Sequence, residues 1–318
     1  MRPPASSAIP RLLAASLALV LLPTTLDAAP SCGHAPGGIP GDTVDGGPPP
    51  VAGPVGVPFP APLASPLEPR TRLAPVHAAR GGRSRWVGLV NLGEAFPFAL
   101  LSPRREEDAE GGAEERGEGA PAAVRTPALW GEIAGGAFSR FDLEGRGNEF
   151  VEVHYRVGLR LRARWRAIDA RLAFYHVSSH LGDEFLERTG RAPISTSREG
   201  LELLAGVRPL PDPLPGVRLY GGPGLLVRST AGLAPASVRI GAEWRPRGSR
   251  WGSFRPYASA ELFAWEERGW EPLAAAEAGL AFGGRYRIAL LAGAGPSRAE
   301  QFFRQDETLW GLSLGADF

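Results

Sequence analysis

The run Tyr175-His176-Val177-Ser178-Ser179-His180-Leu181-Gly182-Asp183-Glu184 concentrates groups that could take a proton or attack an ester. If the segment is extended, alternate side chains share a face, so His176 and Ser178 are neighbours on one side of it. A serine nucleophile, an imidazole base and a carboxylate that orients the base are the minimal set for acyl transfer. Glu199 can supply the carboxylate. Leu201 and Leu203 set the outward parity of the next segment, Glu199 shares it, and hairpin pairing brings it beside His176. The expected roles are Ser178 as nucleophile, His176 as base and Glu199 as orienter. Two other readings stay open. His176, Ser178, His180, Asp183 and Glu184 could hydrogen-bond one another as a structural rim, because polar groups near hydrocarbon need partners. His176, His180, Asp183 and Glu184 also form a mixed nitrogen and oxygen set of the kind that suits a divalent ion. Their spacing fits no defined metal motif, so no metal or other cofactor is expected.

What must position these residues is a set of long alternating segments. Over 151–165, Val151, Val153, Tyr155, Val157, Leu159, Leu161, Ala163 and Trp165 alternate with Glu152, His154, Arg156, Gly158, Arg160, Arg162 and Arg164. A strict period of two over fifteen residues exceeds the usual strand of about 5–6 residues. It fits a strand with one face on lipid and the other on a polar lumen. Leu172 and Phe174 place His176 and Ser178 on the lipid-facing side, near the external leaflet and beneath a long loop at 181–196. The final segment sets Trp310, Leu312, Leu314, Ala316 and Phe318 against Gly311, Ser313, Gly315 and Asp317.

Twelve strands are expected, near 71–78, 85–101, 127–139, 149–165, 167–180, 197–208, 216–229, 236–246, 252–266, 271–283, 285–296 and 308–318. The fold class is all-β, an antiparallel up-and-down transmembrane barrel of about 12 strands, the even number that single-chain bacterial barrels use. Pro75, Gly93 and Pro97 interrupt the first two segments. With both termini periplasmic, the connections at 166, 247–251 and 283–284 are short and lie inside, while those at 181–196 and 297–307 are longer and lie outside. The charged loop 102–126 breaks that asymmetry, and its low-complexity run Arg104 to Gly119 reads as solvated. Trp165, Trp244 and Trp251 fall at periplasmic ends and Trp265 and Trp270 flank an external loop, as in aromatic girdles.

The inward parity carries Arg156, Arg160, Arg162, Arg164, Arg171, Arg239, Arg245, Arg255 and Arg287 against Glu152, Glu202, Glu243, Glu261 and Glu277. Arg156, Arg160, Arg171, Glu152 and Glu202 are the binding residues expected of such a lumen. They would brace the interior by cross-strand pairs or line a narrow basic conduit that favours anions. His77 and His154 are isolated, lumen- or rim-facing, and carry no chemical argument.

Upstream, Arg2 and Arg11 form a positive region ahead of the apolar run Leu12 to Leu22, and small residues follow to Ala28. That is a secretory signal peptide over 1–28, too short to span a bilayer as a helix. Residues 29–70 are rich in Pro, Gly and Ala and read as a flexible linker, leaving 71–318 for the barrel. Cys32 is the single cysteine, which excludes a disulfide scaffold and Cys-rich metal sites. All 35 basic residues are arginines, and with 34 acidic residues the net charge is +1. No field draws in nucleic acid.

A lipid-facing His-x-Ser pair on such a strand resembles outer-membrane phospholipase A and the lipid A deacylases, which carry their His and Ser on the barrel exterior near the outer leaflet. The phospholipase has His-x-Ser-Asn-Gly where this chain has Ser179 and His180. The motifs at 64–70 (AlaSerProLeuGluProArg), 93–96 (GlyGluAlaPhe), 138–142 (PheSerArgPheAsp) and 175–184 together resemble a bacterial barrel family of unknown function. That resemblance implies a β-barrel and no assigned activity. The C-terminal Phe318 resembles the last residue of outer-membrane barrels. The expected location is therefore the outer membrane of a Gram-negative-type bacterium. Its lipids and the barrel-assembly machinery are the expected partners. The expected function is a structural barrel or narrow passive channel, or alternatively an outer-leaflet lipid esterase.

Overall fold

The alternation folds into strands that close on themselves. The computed structural model describes residues 61–101, 128–145, 147–165, 168–194, 196–207, 216–246 and 253–317. The signal peptide, the linker as far as residue 60 with Cys32, the Arg104–Gly119 loop and Trp251 lie outside the described residues.

The strands are β1 (Thr71–Arg80), β2 (Arg83–Leu101), β3 (Ala128–Asp142), β4 (Glu149–Trp165), β5 (Ile168–Leu181), β6 (Ser197–Val207), β7 (Val217–Ser229), β8 (Ala236–Trp244), β9 (Arg255–Trp265), β10 (Pro272–Phe282), β11 (Tyr286–Pro296) and β12 (Asp306–Ala316). Each pairs antiparallel with its chain neighbours, and β1 closes the ring on β12 from Thr71↔Ala316 to Arg80↔Glu307. An even strand number puts both ends of the barrel chain at one end, the near end. The opposite, far end carries the hairpin at 81–82 and the connections at 182–196, 266–271 and 297–305. Gly81 and Gly82 have φ of 57° and 76° between the paired Arg80 and Arg83. A two-residue hairpin with positive φ at both positions is the turn whose twist matches the flanking strands.

The two parities separate as the sequence reading expects. Leu159 and Leu290 are 59% and 63% exposed on the outer wall, while Arg171 and Arg239 inside are 1% and 2% exposed. Val151 departs from the pattern. Phe141 pairs Phe150 and Arg140 pairs Glu152, so Val151 is an extra residue in a bulge. The bulge turns it inward, against Leu181, Ala299 and Phe302.

Pro75 is accommodated by a gap in the ladder. Between Leu73↔Leu314 and Val76↔Gly311 the β1–β12 register skips Pro75, and Gly311 lies so close that a Cβ there would be 2.2 Å from the Pro75 carbonyl oxygen. A missing N–H costs no ladder bond where the partner strand leaves none to make.

The bore is filled. Residues 61–70, which the sequence reading assigns to the linker, lie inside the barrel, with Leu63, Ser65, Leu67, Glu68 and Arg70 all buried. At the far end the helix α1 (Asp183–Thr189) and a short turn at Glu300–Phe302 form a cap. Phe185 and Leu186 of α1 pack on the Val151, Leu181, Ala299 and Phe302 cluster. Arg188 donates to both oxygens of Glu149 at 2.9 and 2.8 Å, and that carboxylate holds the guanidinium above its ordinary pKa.

Candidate functional site

Strand pairing decides which polar groups meet on the outer wall. The β5–β6 register sets His176 directly opposite Glu199 and Ser178 opposite Ser197. His176 Nδ1 lies 3.6 Å from Glu199 Oε1, an ion-pair distance longer than a hydrogen bond, with side chains 41% and 31% exposed. On the other side of β5, Val157 stands opposite His176 and Tyr155 opposite Ser178. The Tyr155 and His180 rings are 6.3 Å apart. Next along the same face come the exposed Phe174, Leu172, Leu201 and Leu203. Ser178, His176 and Glu199 therefore share one patch at the edge of an apolar wall. Among the described residues, no hydrogen bond joins the Ser178 hydroxyl to His176.

The rest of the 175–184 run divides by parity. Ser179 points inward, where its hydroxyl bonds Thr196 and accepts from Gln301 Nε2 at 2.8 Å. Asp183 and Glu184 stand in the first turn of α1, away from the wall. Among the described residues no three His, Cys, Asp or Glu side chains gather as a metal ion would require. The four residues weighed for a divalent ion thus do not converge.

Gln301 is the pin of the far cap. It is 0% exposed. Its Nε2 also donates to the Ile194 carbonyl at 2.8 Å, its Oε1 accepts from the Ile194 N–H at 2.8 Å, and its own N–H donates to Glu152 at 3.0 Å. Replacing the amide by an apolar group leaves both half-buried Ile194 backbone groups without their partner and loosens the cap. Gln301→Leu is expected to make the 190–196 and 297–305 segments open to limited proteolysis while the barrel wall stays protected. Unchanged cleavage would contradict the assignment.

The interior charges converge on a residue outside the strands. Glu68 receives Arg171 at 2.6 Å, Arg160 at 3.1 Å and Arg239 at 3.5 Å, from β5, β4 and β8. Glu202 lies 2.9 Å from both Arg171 and Arg239. Arg160 is also 2.9 Å from Glu132, and Arg162 pairs with that same carboxylate. Arg156 lies 3.9 Å over the Tyr175 ring, and Glu152 receives the Gln301 N–H. The segment is tied again where the Leu63 N–H donates to Glu243 at 2.6 Å and Arg70 donates to the Pro62 and Leu63 carbonyls. Buried charges persist only with partners of this quality. The expected lumen residues Arg156, Arg160, Arg171, Glu152 and Glu202 are thus all engaged in contacts.

The positions of His77 and Trp265 differ from the sequence reading, while that of His154 agrees with it. His77 stands on the outer wall between the exposed Trp86 and Trp310, its ring 5.7 and 5.6 Å from theirs. His154 faces the lumen, stacked on Phe138 at 4.7 Å. Trp265 turns inward edge-on to Phe263, because Phe263 and Trp265 share the inward parity of β9, so it takes no part in a girdle. Glu132, Thr196 and Gln301 went unremarked in the sequence, and Glu68 figured there only as a letter of the 64–70 motif. Of the three, Glu132 had a signal there, an acid opposite Arg160 in the β3–β4 register.

A closed antiparallel ring with an apolar outside and a charged inside defines an outer-membrane-type β-barrel. The family model described as "Protein of unknown function (DUF1207)" matches residues 128–318, and the chain belongs to that family. This is the kind of family the motifs pointed to, although the 64–70 and 93–96 motifs precede the matched residues. No curated protein matches the chain. Solved structures similar to it include a KdgM porin, with 8% identity, TM-score 0.41, and coverage of 78% of this chain and 99% of that one. The Salmonella typhi outer membrane phospholipase dimer with bound calcium has 16% identity, TM-score 0.47, and coverage of 78% and 91%. LpxR from Salmonella typhimurium has 10% identity, TM-score 0.34, and coverage of 78% and 100%.

Proposed function

We propose that the protein is a closed structural barrel of the outer membrane, shut by its own residues 61–70, rather than a passive channel. The observation that carries this reading is the meeting of Arg160, Arg171 and Arg239 on Glu68 in the middle of the bore. A lumen crossed by buried ion pairs offers a solute no continuous water path. On this reading residues 1–28 direct export, both termini face the periplasm, and the C-terminal sequence with Phe318 is what the assembly machinery engages. Purified protein in planar bilayers is expected to give no sustained conductance. A steady anion-selective current from the intact chain would overturn it.

A second reading is supported by the His176–Glu199 contact on the exposed wall. His176 lies eight residues beyond Ile168 on β5, roughly 20 Å up the barrel axis at ~3.3 Å per residue and ~40° tilt. That height is the upper margin of an apolar band ~25 Å tall, where the ester bonds of outer-leaflet lipid sit. There Ser178 Oγ would attack the acyl carbonyl as His176 takes its proton. The imidazolium, steadied by Glu199, would return that proton to the departing alcohol. Water would then attack the acyl-serine, again with His176 as base, releasing the fatty acid. The absence of a Ser178–His176 hydrogen bond favours the first reading, although such bonds often tighten only with substrate. Fatty-acid release from phospholipid and from lipid A in mixed micelles, by the intact chain against Ser178→Ala and His176→Ala, tests it. Equal release from all three would discard it.

A further inference from the structure

A bulge in β7 decides where one arginine points. Below it the β6–β7 register pairs Leu201 with Leu225 and Gly200 with Leu226, and above it Glu199 with Arg228 and Arg198 with Ser229. Val227 is therefore an extra residue. Without it Arg228 would follow the parity of Arg218 and Tyr220, both buried in the bore. Bulges re-aim side chains in this way. Beyond the bulge the strands are fastened, because Thr230 donates its N–H to the Ser197 carbonyl at 2.9 Å and its hydroxyl accepts the Ser197 N–H at 2.9 Å. Arg228 thus stands exposed on the outer wall, opposite Glu199.

Among the described residues that cation makes no hydrogen bond or ion pair, and Glu199 across from it lies 3.6 Å from His176 instead. With the bulged residue discounted, Arg228 is ten residues of rise beyond Val217, roughly 25 Å up the barrel axis at ~3.3 Å per residue and ~40° tilt. That height is the top edge of an apolar band ~25 Å tall, where lipid headgroups begin. Lower on the same wall Leu225, Leu201 and Leu203 are exposed, and Val227 beside Arg228 is exposed with them.

We propose that Arg228 holds the phosphate of an outer-leaflet lipid whose acyl chains lie along Val227, Leu225, Leu201 and Leu203. The guanidinium fork matches phosphate oxygens in pairs. A basic side chain at headgroup level above hydrocarbon attracts an anionic lipid. Free phosphate shares the charged end but has nothing to lay on the leucines. The site neither requires hydrolysis at Ser178 nor follows from it, so its test reads binding alone.

The test is native mass spectrometry of the full chain in dodecyl maltoside. It is titrated with didecanoyl phosphatidic acid and with didecanoylglycerol, the same lipid without its phosphate. Phosphatidic acid is expected to bind first as a single copy, about tenfold more tightly than the diacylglycerol, the worth of one charge-assisted contact. Arg228→Gln should bring the two lipids to equal affinity while keeping the heat-modifiable gel migration of a folded barrel. Arg83→Gln, at another exposed arginine of the far end, should leave the preference intact. Equal binding of the two lipids by the parent chain, a preference that survives in Arg228→Gln, or one lost equally in Arg83→Gln would overturn the proposal. So would displacement of phosphatidic acid by inorganic phosphate at equal concentration, since the site would then hold any phosphate and the apolar wall would select nothing.

Discussion

Glu68→Ala is expected to destabilise the folded barrel by about 3–5 kcal/mol, the cost of breaking a buried charge network from one side. Arg160, Arg162, Arg171 and Arg239 share Glu68, Glu132, Glu202 and Glu261 inside the wall. Removing Glu68 leaves four guanidiniums on three carboxylates, all of them buried. Water or chloride must then enter, so the same variant should acquire an anion-selective conductance that the parent lacks. The stability loss is read as a lower guanidinium midpoint with unchanged slope. Glu68→Gln separates charge from volume, because it fills the same space and loses the negative charge. If both variants unfold at the parent's midpoint and stay non-conducting, residues 61–70 do not hold the bore shut.

On the hydrolase reading, Ser178→Ala and His176→Ala should each lower fatty-acid release by about 10³-fold or more, and the double variant should lose little beyond either single one, because groups that act as a unit are not additive. Glu199→Gln should cost less, since the amide oxygen can still accept from the imidazole while the charge that steadies the imidazolium is gone. The exposed positions of His176 and Glu199 make these substitutions mild for folding. A loss of activity therefore cannot be attributed to unfolding when gel migration is unchanged. Ser197→Ala is the control on the same patch, opposite Ser178 in register and outside the proposed chemistry. If Ser197→Ala lowers release as much as Ser178→Ala, the serine assignment fails.

The wall was far more legible than its contents. Period two marked β4, β5, β8, β9 and β12 most plainly, because each segment touches two different media and the side chains record which is which. The same parity placed Glu199 against His176, since both sit at countable positions from leucines that mark the outward face. It misplaced Val151, because one bulged residue shifts the count and nothing local announces the bulge. Pro75 and Pro97 suggested broken strands. Local pairing alone decides whether a missing N–H matters, and β1 and β2 run on through them. Glu68 was hidden for a different reason. It lies in a Pro-rich stretch with no period, and its importance comes from Arg160, Arg171 and Arg239, some 90 to 170 positions later. Gln301 shares that condition, being a loop residue whose surroundings come from several separate segments.

The seat of residues 61–70 also imposes an order on assembly. Its anchors belong to β4, β5 and β8, with the Leu63 N–H on Glu243 of β8. A stretch translated ahead of every strand can lock only after strands from distant parts of the chain have been brought round to face one another. It works like the last stone of an arch, cut first and set last. An unfinished ring would offer it no socket, so a locked plug is a certificate that the circle is complete.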